Sequence, residues 1–273
     1  MRRVNRLCAI LAVAATAVAQ TGAPPARAKV RIILVGDSTV ASRTGWGNSF
    51  CFDYAPETAC VNKARGGRST KSYREDGSWA DVLQMLARNG DYAATYVLIQ
   101  FGHNDQPGKP GRSTDLATEF PVNLKRYVEE VRAAGATPVL VTSLSRRQFG
   151  PDGRVKDGLQ PWADATIKVA AEERAPLVDL HADSLAAINK MGPEDANTLA
   201  MAPPPGPPAT DTPVPAAVIS PAPVAKPGEP VPTFDYTHLG KKGAELFAKM
   251  VAIDLARAVP DLRSAIKNLE GAP

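Results

Sequence analysis

Histidine and cysteine are scarce, with three of each among 273 residues. Any chemistry that needs an imidazole must therefore draw on His103, His181 or His238. Asp179 and His181 form one short Asp-x-His pair without a third ligand, so no metal site is expected. Gly-x-Ser-x-Gly is missing, which excludes the sharp nucleophile elbow of the α/β-hydrolases. A large charge of one sign is missing too. The net charge of +4 falls to +1 once Arg2, Arg3 and Arg6 are set aside. That balance makes no case for a nucleic-acid or membrane partner.

Those three arginines open a basic segment followed by an apolar stretch, residues 7–18, and by Ala17-Val18-Ala19. The pattern predicts a cleavable signal peptide and leader over residues 1–28, and a periplasmic or secreted protein. The apolar stretch is too short for a good membrane-spanning helix, so no stable membrane insertion is expected. Cys8 lies inside it without the small-residue run that precedes a lipid-modified cysteine. An exported chain permits a disulfide between the remaining two, Cys51 and Cys60, with two buried thiols as the alternative.

With 44% hydrophobic residues the chain can build a sizeable core. Residues 30–36 form an apolar run of strand length that stops at Gly36-Asp37-Ser38-Thr39. Residues 94–100 form a second, stopping at Phe101-Gly102-His103-Asn104-Asp105. Further strands are expected at 59–62, 137–142 and 176–180. Between them, helical periodicity covers 78–88, 115–134, 162–174 and 182–190, and a last helix covers 240–257. This alternation predicts a parallel sheet covered on both faces. Residues 192–232 hold about half of the 25 prolines and few aromatics. They are expected to be a disordered insertion, dividing one domain into 29–191 and 233–258, with 259–273 as a surface tail.

A serine ending a buried strand sits where open α/β folds place their ligands. To act as a nucleophile it needs a base, an orienting acid and oxyanion donors. Asp235 precedes His238 by three residues, a spacing that puts both on one side of a helical turn. The carboxylate would then hold Nδ1–H and leave Nε2 for the Ser38 proton. Asn104, at a strand end, offers an amide to a developing oxyanion, and Gly67 lets a bare backbone N–H approach closely. Ser38 N–H is the third donor. Each has a plainer alternative: a surface ion pair, a turn asparagine, a turn glycine.

Gly36-Asp37-Ser38-Thr39, Gly67, Gly102-His103-Asn104-Asp105 and Asp235-Tyr236-Thr237-His238 resemble the four ordered signatures of the SGNH (GDSL) hydrolase superfamily. Gly45-Trp46-Gly47, Asn62 through Gly67-Arg68-Ser69 to Ser72-Tyr73, and Arg146-Arg147-Gln148-Phe149 are similar to its rhamnogalacturonan acetylesterase-like branch. The resemblance implies an α/β/α sandwich on a five-stranded parallel sheet. It implies Ser38 as nucleophile, His238 as base, Asp235 as orienting acid, and Ser38, Gly67 and Asn104 as the oxyanion hole. It also implies an acetylated polysaccharide or oligosaccharide as substrate and no cofactor, and a monomer is expected. His103, Trp46 and Arg146 are assigned to substrate binding, against loop support, core packing and a solvated basic loop respectively. The rival readings are a lipase or thioesterase of the same fold, a non-catalytic carbohydrate-binding relative, and an interaction protein using its proline-rich segment.

Overall fold

The computed structural model describes residues 30–52, 57–202 and 234–266. The expected signal segment, residues 203–232 of the insertion and the end of the tail lie outside them. Five strands form one sheet: β1 (Val30–Gly36), β2 (Thr58–Asn62), β3 (Ala94–Gln100), β4 (Thr137–Val141) and β5 (Leu177–Val178). Their spatial order is β2-β1-β3-β4-β5, and every pair is parallel. In this order the chain crosses β1 to continue on its other side. The crevice at that switch, above the ends of β1 and β3, is where such sheets bind ligands.

The continuous apolar strands have two faces to bury. Ile32 and Leu34 of β1 join one core, and Ile33 and Val35 join the other, as the period of two requires. The first core is closed by α1 (Gly47–Phe52), α6 (Leu180–Asn197) and α7 (Lys241–Ala258), through Phe50, Ile188 and Phe247. The second is closed by α3 (Ser78–Leu86), α4 (Glu119–Ala133) and α5 (Gln160–Glu173), through Trp79, Phe120 and Trp162; a short helix, α2 (Ser72–Glu75), precedes α3. The expected three-layer sandwich is therefore present. Cys51 and Cys60 are bonded, with Cα atoms 5.3 Å apart, tying α1 to β2. Closing so short a loop stabilises by roughly 2–3 kcal/mol on chain entropy.

Two expected boundaries move. The chain does break at Gly192, whose φ of 76° and ψ of 172° interrupt α6. Helix then resumes, and Ala196 and Leu199 are fully buried. Residues 192–202 thus belong to the domain, because two apolar side chains suffice to pack that last stretch onto α7. Likewise residues 259–266 are no surface tail: Leu262, Ala265 and Ile266 enter the first core. Pro260 ends the helix but starts a 3₁₀ turn that folds back. Among the described residues, no helix is long and apolar enough to cross a membrane.

Candidate active site

Ser38 stands in a tight turn after β1. Asp37 fixes that turn, its Oδ1 accepting from Thr39 N and Thr39 Oγ1, both at 2.8 Å. Thr44 Oγ1 donates to the Ser38 carbonyl at 2.5 Å. Gly45 lies so close to this turn that a Cβ there would stand 2.1 Å from the Thr39 carbonyl, so only glycine allows the chain to fold back at that point.

Beneath the turn runs a buried line of hydrogen bonds. Trp46 Nε1 donates to Gln100 Oε1 at 3.0 Å, and Gln100 Nε2 donates to Thr39 Oγ1 at 2.6 Å. Trp46 has no exposed surface and meets Phe50 edge-on. This corrects its assignment to substrate binding: no face is left for a sugar, and its N–H supports the serine turn from below.

His238 and Asp235 arrive from the far end of the chain. His238 Nδ1 lies 2.8 Å from Asp235 Oδ2, and His238 Nε2 lies 2.8 Å from Ser38 Oγ. With Nδ1–H donating to the carboxylate, Nε2 is free to accept from the serine hydroxyl. Asp235 Oδ1 accepts from the N–H groups of Thr237 and His238, each at 2.9 Å. Partial burial pushes this carboxyl up, but the backbone N–H groups of His238 and Thr237 and the His238 ring outweigh it. The group is held below the usual aspartate range.

Arg147 anchors this loop, a role nothing in its local sequence signals. Its side chain is fully buried. Nη2 donates to the carbonyls of Asp235 at 3.0 Å and His238 at 2.8 Å, and Arg147 N donates to the Tyr236 carbonyl at 2.9 Å. Burial lowers the guanidinium to about 10, so it stays charged at neutral pH. Leu239 N to Thr44 O, 2.9 Å, and Gly240 N to Leu199 O, 2.9 Å, complete the docking. The insertion just before Asp235 thus leaves the loop held on three sides. One ammonium cannot reproduce a fork that spans several carbonyls. Arg147→Lys should therefore lower kcat about 100-fold through a shifted imidazole, with the circular dichroism spectrum kept. Unchanged kcat would show that the loop holds its place without the fork.

The amide donors come from the ends of β2 and β3. Lys63 N to Leu34 O and Arg65 N to Gly36 O extend the pairing of β2 with β1. Gly66 and Gly67 are thereby brought to the rim beside Ser38. Gly67 has φ +74°, a backbone conformation that disfavours any side chain. Asn104 Nδ2 donates to the Arg68 carbonyl at 3.0 Å, and its Oδ1 faces Arg112 Nη1 at 3.3 Å. These contacts orient the amide with its nitrogen on the Gly67 side, and its second N–H remains for a ligand. Asp105 clips the two loops together, accepting from Thr70 N, Thr70 Oγ1, Gly102 N and Thr114 Oγ1. Burial raises this carboxyl to about 6 despite those donors.

His103 and Arg146 both line the cleft. His103 is almost wholly buried, with Nδ1 3.6 Å from Asp37 Oδ2. Burial lowers its pKa, and Asp37 only partly offsets that. The ring is therefore a floor of the cleft more than an exposed arm. His181 lies elsewhere, its nitrogens facing the Ser143 carbonyl and Asp157. Among the described residues, no group of three or more His, Cys, Asp or Glu is placed to hold a metal ion. The cleft encloses about 960 Å³ and opens to solvent over Ser38, Gly67, Asn104 and His238.

A doubly covered parallel sheet that joins hydroxyl, imidazole and carboxylate in one line at its switch point is the architecture of a carboxylic ester hydrolase. The chain belongs to the GDSL-like lipase/acylhydrolase family, whose model matches residues 34–212. It is 32% identical over 249 residues to rhamnogalacturonan acetylesterase RhgT of Bacillus subtilis, covering 89% of this chain and 96% of that one. It is 31% identical over 246 residues to the probable rhamnogalacturonan acetylesterase YesY of the same organism, covering 87% and 98%. Among solved structures, the YxiM protein of Bacillus subtilis superposes with a TM-score of 0.61 at 23% identity, covering 84% of this chain and 56% of that one. That last likeness is one of fold.

Proposed function

We propose that this chain is an exported serine esterase that removes acetyl groups from a pectin-type polysaccharide such as rhamnogalacturonan. The observation that carries the reading is the line from Ser38 Oγ through the His238 ring to Asp235, with both steps at 2.8 Å. The names of the two relatives that align over most of the chain support the polysaccharide and the acetyl group.

In this reading Ser38 Oγ attacks the ester carbonyl while His238 Nε2 takes its proton. Asp235 holds the tautomer and stabilises the imidazolium. The tetrahedral oxyanion accepts hydrogen bonds from the N–H groups of Ser38 and Gly67 and from Asn104 Nδ2. A single donor of this kind is worth about 10²–10³ in rate. Collapse breaks the bond to the sugar oxygen, which leaves with the proton from His238. Water, deprotonated by the same nitrogen, then attacks the acetyl-enzyme and releases acetate and free Ser38.

A lipase would need an apolar acyl tunnel. The residues lining this cleft are mostly polar or charged, with Phe234 and Tyr236 as its large aromatic side chains, and they form an open cleft. The test is acetate release from a panel of acetylated polysaccharides and long-chain esters. Release from acetylated rhamnogalacturonan, and recovery of that activity outside the cytoplasm, is the expected result. Hydrolysis confined to long-chain esters would overturn the assignment.

A further inference from the structure

One wall of the cleft carries three cations, Lys109, Arg112 and Arg146. Each is held by a neutral oxygen. Lys109 Nζ donates to the His103 carbonyl, Arg112 Nη1 to Asn104 Oδ1 at 3.3 Å, and Arg146 Nη2 to Gln106 Oε1 at 2.7 Å. Among the described residues none of the three forms an ion pair with a carboxylate; the exposed cations Lys125 and Arg126, by contrast, are paired with Glu173 and Glu130. Asp37 and Asp105 pull on Lys109 from below without reaching it, while burial and then Arg146 and Arg112 push its pKa down. Among the described residues, the acid that lines the cleft is Asp235, and it is engaged with His238.

Three positioned, partly desolvated like charges are costly to hold together without an opposite charge. Their geometry also limits where that charge can sit. Arg112 touches the amide expected to face the oxyanion, and Lys109 and Arg146 grip the same 103–106 turn. The anion therefore lies beside the reacting ester, on the acetylated sugar or its neighbour.

We propose that Lys109, Arg112 and Arg146 form a carboxylate-binding subsite that seats a uronate of the polysaccharide while the acetyl group meets Ser38. The subsite rests on the acetylesterase reading for its catalytic meaning, but its binding can be measured without turnover. It makes the enzyme selective for acidic over neutral acetylated glycans, because a sugar carboxylate replaces water around the three cations and a neutral sugar does not.

The test compares kcat/KM on an acetylated galacturonate oligosaccharide with that on an acetylated neutral xylo-oligosaccharide. Lys109→Gln and Arg146→Gln should each lower the acidic-to-neutral ratio about 10- to 100-fold, the value of a hydrogen bond to a charged group. The loss should appear in KM for the acidic substrate, and Lys109→Arg should restore most of it. Added salt should raise KM for the acidic substrate only. Calorimetry with unacetylated galacturonate oligosaccharide and the Ser38→Ala protein reads the same subsite in the absence of catalysis. Affinity there that weakens about 10-fold in Lys109→Gln supports the subsite even if the acetyl chemistry is misassigned. A parallel fall on both substrates would mean that the cations serve the oxyanion, and would overturn the subsite. An unchanged ratio, or no binding by calorimetry, would overturn it equally.

Discussion

Ser38→Ala is expected to lower kcat for acetyl-ester hydrolysis by about 10⁶-fold, the scale seen when a serine hydrolase loses its nucleophile. The fold should survive. The hydroxyl bonds to His238 Nε2, and the turn that carries it is fixed by other atoms: the Asp37 carboxylate, Thr44 Oγ1 and the Gly45 contact. Removing one half-exposed oxygen therefore leaves no buried group unpaired, so little stability is at stake. Residual turnover of about 10³–10⁴ over water should persist, because the proposed oxyanion donors remain. Acetate release under single-turnover conditions, with thermal unfolding alongside, measures both. A variant that keeps more than a tenth of the wild-type rate would send the search to another nucleophile.

Asp235→Asn should cost about 10⁴-fold in kcat while preserving the loop. Asparagine Oδ1 can still accept from the N–H groups of Thr237 and His238, the two bonds that shape the turn. Its amide nitrogen, however, would face His238 Nδ1 where a carboxylate oxygen stood. Two donors cannot share that contact, so the ring takes the other tautomer, with the proton on Nε2. It then cannot accept from Ser38. Asp235→Ala is the control: it also removes the turn acceptors and should lose thermal stability, whereas asparagine should not. Turnover in Asp235→Asn within tenfold of wild type would mean that the carboxylate is not what sets the tautomer.

Much of this architecture was legible in the chain. The apolar runs ending at Ser38 and at Gly102 are strands buried on both faces, so they show as unbroken hydrophobic stretches with an abrupt polar stop. Gly67, with its positive φ, is a backbone requirement that the residue type itself signals. Trp46 was only partly legible: core packing suits a tryptophan beside glycines, but so does a sugar platform. Its place was decided by Gln100, 54 residues away. The domain boundaries failed for a related reason. Gly192 and Pro260 do interrupt helices, as their backbone chemistry demands. Whether the next few residues then leave the surface or fold back depends on Leu199 and Leu262 finding vacant core, which no local pattern reports.

By itself, the sequence determined the strand and helix order, the turn chemistry after β1 and β3, and the short roll of residues proposed for the ester chemistry. Those properties depend on residues within a few positions of one another. Only the tertiary structure decided that Ser38 and His238 meet across 200 positions. It alone made a buried arginine hold the Asp235–His238 loop and, among the described residues, left three cations along one wall without carboxylate partners. Such facts arise where crossovers return separate strand ends to one sheet edge, and there distance in the chain ceases to predict distance in space.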